Sequence, residues 1–225
     1  MILYELAAAD GRRFSPHCWK SRMSLAQLGI DAASERVGFM AIRRIGDGGF
    51  RRVPVLENEG EFVADSWQIA EHLDRLTDQA LFPDSASRAF ARFTEYWVTS
   101  LFTCIGRIVV PDIATIVCAE DHPYFEESRE RWLGEPIDLL RLRQEDELAA
   151  LRERLDPARR VLAEQPFLGG AEPTYSDFQL FGAFQWARVT SPAPLVTSED
   201  PIRDWFQRCL DLYDGLGRSE PGYDW

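Results

Sequence analysis

Apolar and polar positions change period several times along the first third of the chain. "MILYEL" is a short apolar run and predicts a strand. In "SPHCWKSRMSLAQLG", Trp19, Met23 and Ala26 recur at i, i+4 and i+7, which predicts a helix with one apolar face that Gly29 ends. "SERVGF" predicts a second strand, and "RVPVLEN" with "EFVAD" predicts a hairpin around the polar turn "ENEGE". A helix from Ser66 to about Leu76 sets Ile69, Leu73 and Leu76 on one side. From Arg88 onward strand signals are few. "FARFTEYWVTSLFTCIGRIV" predicts one long aromatic helix ending near Pro111, and "DLLRLRQEDELAALRERLDPARRVLAEQ" a charged one interrupted at Pro157. "TYSDFQLFGAFQWARV" carries an apolar stripe of Leu180, Phe184 and Ala187. "PIRDWFQRCLDLYDGLG" is amphipathic, opened by Pro201 and closed by Gly215 and Gly217.

The order strand–helix–strand–loop–strand–strand–helix is a small α/β layer of the thioredoxin type, and the rest of the chain reads as helical. The pattern therefore predicts α/β plus all-α: a thioredoxin-like domain over 1–77, a linker over 78–87 within the turn-rich "TDQALFPDSAS", and an all-helical domain over 88–225. A 45% hydrophobic and 28% charged composition is that of an ordinary globular chain. A net charge of −12 argues against a nucleic-acid partner, which needs a basic face. No window reaches the roughly 18 apolar residues of a membrane span, and "MILYELAAADGRR" is too soon broken for a secretory signal. Cys18, Cys104, Cys118 and Cys209 lie far apart, and His17, His72 and His122 are scattered. Neither a metal site nor a disulfide framework is expected, and the cytoplasm is the default compartment.

Candidate chemistry begins at "FSPHCWK". Ser15-Pro16 suits a helix N-cap, and that is one reading of it. The other uses the same geometry: a helix N-terminus offers free N–H groups and a positive dipole end, which lower the pKa of a thiolate held there. The stretch resembles a redox Cys-x-x-Cys motif whose first cysteine has become Ser15. A serine there assists only a thiolate brought by a ligand, with Phe14 and His17 flanking it. Cys18, without a partner, reads as a small buried residue. Pro54 opens a strand, and in a thioredoxin-like unit this proline is cis, offering the Val53 backbone to an extended peptide. Asp65-Ser66 reads as a cap or as a site for an amino-acid zwitterion, Ser66 taking the carboxylate and Asp65 the ammonium. Arg52, with Arg44 as a weaker choice, is a partner for a second carboxylate. "EDHPYFEE" reads as an acidic surface loop, and Thr174 with Asp177 has capping-box spacing.

Taken together, "SPHCWKSRMSL", "RVPVLE", "ADSWQIAEHLD" and "FLGGAEPTYSDFQLFGAFQWAR" resemble the glutathione transferase superfamily, in its order and across both halves of the chain. The final "PIRDWFQRCLDLYDGLGR", with "VPVL" and "DSWQIAEHLD", is similar to the bacterial β-etherase branch and its fungal FuA-like relatives, which use glutathione to cleave β-aryl ethers of lignin-derived aromatic ketones. The resemblance implies glutathione as co-substrate, no metal, and commonly a homodimer. It assigns the activating hydroxyl to Ser15, the cis-proline to Pro54 and the γ-glutamyl site to Asp65 and Ser66. The β-etherases continue past "DGLGR" whereas this sequence stops at Trp225, so any lid built from that extension is expected to be missing. A hydrophobic aromatic second substrate is expected between the domains, against Tyr96, Trp97 and Leu101. Two rival readings use the same residues: a thiol reductase acting through Cys18, and a carrier of glutathione or aromatic ligands without chemistry.

Overall fold

The computed structural model describes residues 1–78 and 80–225. β1 (Ile2–Leu6) lies inside a four-stranded sheet of order β2-β1-β3-β4. It pairs in parallel with β2 (Ala33–Val37) and antiparallel with β3 (Val55–Asn58), which pairs antiparallel with the edge strand β4 (Glu61–Ala64). The β3–β4 turn has Glu59 at φ 51° and Gly60 at φ 85°, the two positive values that a tight hairpin between right-twisted strands demands. α1 (Pro16–Gln27) and α2 (Ser66–Leu76) pack against each other beside this sheet. This is the thioredoxin-like layer that the pattern predicts, with α2 on the expected bounds.

The expected linker over 78–87 includes Gln79, which lies outside the described residues. Beyond it the chain is pinned: Leu81 and Phe82 are buried, and the Asp74 carboxylate accepts both of their N–H groups at 2.9 Å. α3 (Ser85–Ile113) starts three residues before Arg88, because Asp84 caps it by accepting from Ser87 N–H at 2.7 Å. Its last turn contains Pro111 rather than stopping before it.

α4 (His122–Leu133) corrects the surface-loop reading of "EDHPYFEE". Pro123 suits its first turn, and the preceding Asp121 is buried, accepting from Phe39 N–H at 2.7 Å and Met40 N–H at 2.8 Å. The loop after β2 is thereby tied to the helical half. α5 (Ile137–Leu140), α6 (Gln144–Arg154) and α7 (Asp156–Leu162) come next; the break between α6 and α7 falls at Leu155, two residues before the expected Pro157, which sits in the first turn of α7.

α8 (Tyr175–Thr190) departs from the stripe expected of it: every residue is buried. It is wedged against α1, α3 and α9 (Pro201–Gly215), so no face of it meets water. Its approach to α1 is close, since a Cβ on Gly182 would lie 2.3 Å from the Pro16 carbonyl oxygen. The C-terminal tail folds back on the site's approach. Buried Glu220 accepts from Arg13 N–H at 2.9 Å and from Arg13 Nε at 2.7 Å, two residues before Ser15. Among the described residues no helix is long and apolar enough to cross a membrane.

Candidate active site

Ser15 sits at the N-cap of α1 with extended φ/ψ of −67° and 123°, and its Oγ accepts from Cys18 N–H at 3.3 Å. One lone pair of the hydroxyl is thus given to the helix, and its proton remains to donate. Pro16 at the first turn contributes no N–H of its own and presets the helical φ. Phe14 is 3% exposed and turned into the core against Phe39, so it offers a ligand backbone rather than ring. Cys18 is fully buried, and desolvation, with the Glu5 charge adding to it, pushes its thiol up to about 12. Such a thiol is inert at neutral pH, which removes the footing of a reductase acting through Cys18.

The Val53–Pro54 bond is cis. Pro54 O accepts from Asp65 N–H at 3.2 Å, while the Val53 N–H and C=O make no hydrogen bond among the described residues. Asp65 has φ +77°, a strained value for a residue with a side chain. Its Oδ1 caps α2, accepting from Trp67 N–H at 2.9 Å and Gln68 N–H at 3.2 Å, and its Oδ2 makes no hydrogen bond among the described residues. Ser66 is buried at the first position of α2, and its carbonyl accepts from the Tyr175 hydroxyl of α8 at 3.0 Å. Arg52 is exposed in the loop before β3, whereas Arg44 reaches toward Glu120 at 3.3 Å.

His17 is half-buried one turn into α1, edge-on to the Phe102 ring of α3 with centroids 5.3 Å apart. Burial, with the charges of Lys20 and Arg52 behind it, pushes its imidazole down to about 3, so it is neutral. Lys20 is 1% exposed, its Nζ 3.4 Å from His17 Nδ1 and 5.9 Å from the centre of the Phe102 ring. Desolvation pulls it down to about 8 against the attraction of Glu95 and Asp65. Phe102 also meets Trp186 of α8 at 6.0 Å. The structure does not bring Tyr96, Trp97 and Leu101 together as one wall. Leu101 is fully buried, Tyr96 is 80% exposed, and consecutive helical residues such as Tyr96 and Trp97 point about 100° apart. From α3, Phe102 packs against His17 in the first turn of α1.

Family models for the glutathione S-transferase N-terminal domain and C-terminal domain match residues 14–76 and 89–209. The chain belongs to the glutathione S-transferase family. Its fold is similar to that of glutathione transferase GSTFuA3 from Phanerochaete chrysosporium, 25% identical over 100% of this chain and 98% of the fungal one, with a TM-score of 0.76. It is also similar to the glutathione S-transferase CsGST63524 of Ceriporiopsis subvermispora in complex with glutathione, at 19% identity over 94% and 95% of the two chains and a TM-score of 0.76. Glutaredoxin 2 from Salmonella typhimurium in complex with glutathione shares the fold at 15% identity over 97% and 99% of the chains, with a TM-score of 0.71. In this family member, sequence reasoning missed Lys20, Glu95 and Phe102. Lys20 is one turn beyond His17 on α1, a spacing legible in the sequence, but Glu95 and Phe102 arrive from α3 and needed the fold.

Proposed function

We propose that the protein is a glutathione-dependent transferase in which Ser15 activates the glutathione thiol for attack on an electrophilic aromatic substrate, with β-aryl ether cleavage as its reaction. Glutathione lies extended along the thioredoxin-like domain, its cysteinyl main chain pairing with the Val53 N–H and C=O. Its γ-glutamyl carboxylate meets the Ser66 hydroxyl and the N-terminus of α2, its ammonium meets Asp65 Oδ2, and Arg52 takes the glycine carboxylate. The thiol meets Ser15 and ionises. The thiolate attacks the carbon beside the substrate ketone and expels a phenolate. The observation that carries this reading is the Ser15 hydroxyl: its oxygen is committed to Cys18 N–H, its proton is available, and it stands where a helix begins. Membership of the family, and the glutathione bound in the Ceriporiopsis protein, support it.

The test is turnover of glutathione with a panel of model β-aryl ether ketones, a chloronitrobenzene and small disulfides, read by product mass. Thioether products with loss of phenol are expected. Glutathione binding with no product from any electrophile would favour the carrier reading instead.

The outer face of α3 supports a homodimer as well. Phe93 and Tyr96, 64% and 80% exposed, stand three residues apart there with Phe90 a turn earlier. Sedimentation at micromolar concentration is expected to give twice the 25.8 kDa chain mass, and Phe93→Glu is expected to return the monomer. A wild-type monomer would end this reading.

A further inference from the structure

Lys20 has no carboxylate within ion-pair distance among the described residues, although it is buried and flanked by Glu95 of α3 and Asp65 at the α2 N-cap. Its one hydrogen-bond contact is His17 Nδ1 at 3.4 Å. An ammonium has donors only, so in this contact Nδ1 is the acceptor and carries no proton. A neutral imidazole has one N–H, which must then be on Nε2. Nε2 makes no hydrogen bond among the described residues, and the ring is only half-buried, so this N–H is left for a ligand. The ring packs T-shaped against Phe102, which restricts its rotation.

We propose that Lys20 is a positioning residue that locks His17 in its Nε2–H tautomer, and that this N–H receives the oxygen atom of the second substrate that becomes anionic when glutathione attacks. This deepens the transferase reading and rests on it. With an aryl ether, the sulfur lone pair forms the carbon–sulfur bond, the carbon–oxygen bond breaks, and its electron pair leaves on the phenolic oxygen. Solvent protonates that oxygen afterwards, and His17 keeps its proton throughout. The substrate class selected is one whose charge develops on oxygen rather than on a halide, since an oxyanion is the stronger hydrogen-bond acceptor.

Nitrogen NMR of the ¹⁵N-histidine-labelled free protein reads the tautomer directly. In the wild type at pH 7, His17 is expected to show a protonated Nε2 and an unprotonated Nδ1. Lys20→Met, of similar length and without donors, is expected to give a mixture. Kinetics form the second arm, with an α-aryloxy ketone and benzyl chloride as probes. Lys20→Met is expected to lower the ether-to-chloride ratio of kcat roughly 10-fold, the weight of one hydrogen bond to charge. His17→Gln, which keeps an N–H donor, is expected to retain more ether activity than His17→Phe. The ether-to-chloride rate ratio is expected to fall as pH rises through about 8, where Lys20 loses its charge: a neutral amine donates more weakly and can also accept from Nδ1–H, so the tautomer preference is relaxed. Glu95 and Asp65 hold that proton on, Arg52 adds to keeping His17 neutral, and the thiolate's own ionisation cancels in the ratio. A wild-type His17 protonated on Nδ1, or a spectrum unmoved by Lys20→Met, overturns the proposal. So does an equal loss on both probes. Failure of the Ser15 reading looks different, because Ser15→Ala would then spare both probes alike.

Discussion

Asp177→Ala is expected to lower the free energy of unfolding by about 4 kcal/mol. The carboxylate is fully buried and ringed by donors. Oδ1 accepts from Leu168 N–H at 2.7 Å and from the Trp205 indole at 2.9 Å. Oδ2 accepts from Thr174 N–H at 2.9 Å, Thr174 Oγ1 at 3.1 Å and Gly169 N–H at 3.3 Å. Burial pushes the carboxyl above its ordinary range, and these donors pull the other way. Alanine would leave buried N–H groups from the loop, the start of α8 and α9 without acceptors. Asp177→Asn decides whether shape or acceptor count matters, since its NH2 would face groups that also donate. It is expected to lose nearly as much as alanine, measured as the shift in urea midpoint at constant slope. A loss below about 1 kcal/mol in both variants would mean that water replaces the carboxylate and that α8 does not depend on it.

That capping box was legible in the sequence because caps are local: Thr174 and Asp177 are three residues apart, and the spacing alone names the contact. The thioredoxin-like order was legible for the same reason, through short apolar strands, the hairpin turn and the Ser66–Leu76 helix, of whose expected stripe Ile69 and Leu73 are buried while Leu76 is 53% exposed. What failed depended on the surroundings. The stripe on α8 was real, yet the helix ended buried on all sides because α1, α3, α9 and the C-terminal tail surround it, and one helix's pattern does not count its neighbours. "EDHPYFEE" read as a solvated loop because its charges dominate. Asp121 is inside only because the Phe39 and Met40 N–H groups, about eighty residues away in sequence, need an acceptor. The expected wall of Tyr96, Trp97 and Leu101 ignored helix rotation: about 100° separates Leu101, in the core, from Phe102, which packs on His17.

Ser15→Ala is expected to move the acid limb of the kcat/KM profile up by about 1 to 2 pH units and to lower the rate at pH 7 roughly 30-fold, within the span of one hydrogen bond to a charged group. A thiol has an ordinary pKa of about 8.5, and the helix N-terminus and the hydroxyl each favour its anion. Removing the hydroxyl leaves the helix contribution in place, so the limb should move only part of the way back. Only the thiolate reacts, and that sets the sign. Below the limb both proteins hold mostly thiol and the variant lags. At pH values above both limbs each is ionised and the two rates converge. Alanine also deprives Cys18 N–H of its acceptor, costing about 1 kcal/mol of stability, so lost rate has to be separated from a loosened helix. Ser15→Asp makes that separation. Aspartate restores the cap and the stability with it, but sets a negative charge against the thiolate, so its limb should move higher than alanine's. Ultraviolet absorbance of the bound thiolate, titrated with each variant, reads the same shift without turnover. If the limb stays where it was in alanine and aspartate alike, the hydroxyl is a cap and nothing more, and the thiolate is held by the helix end alone.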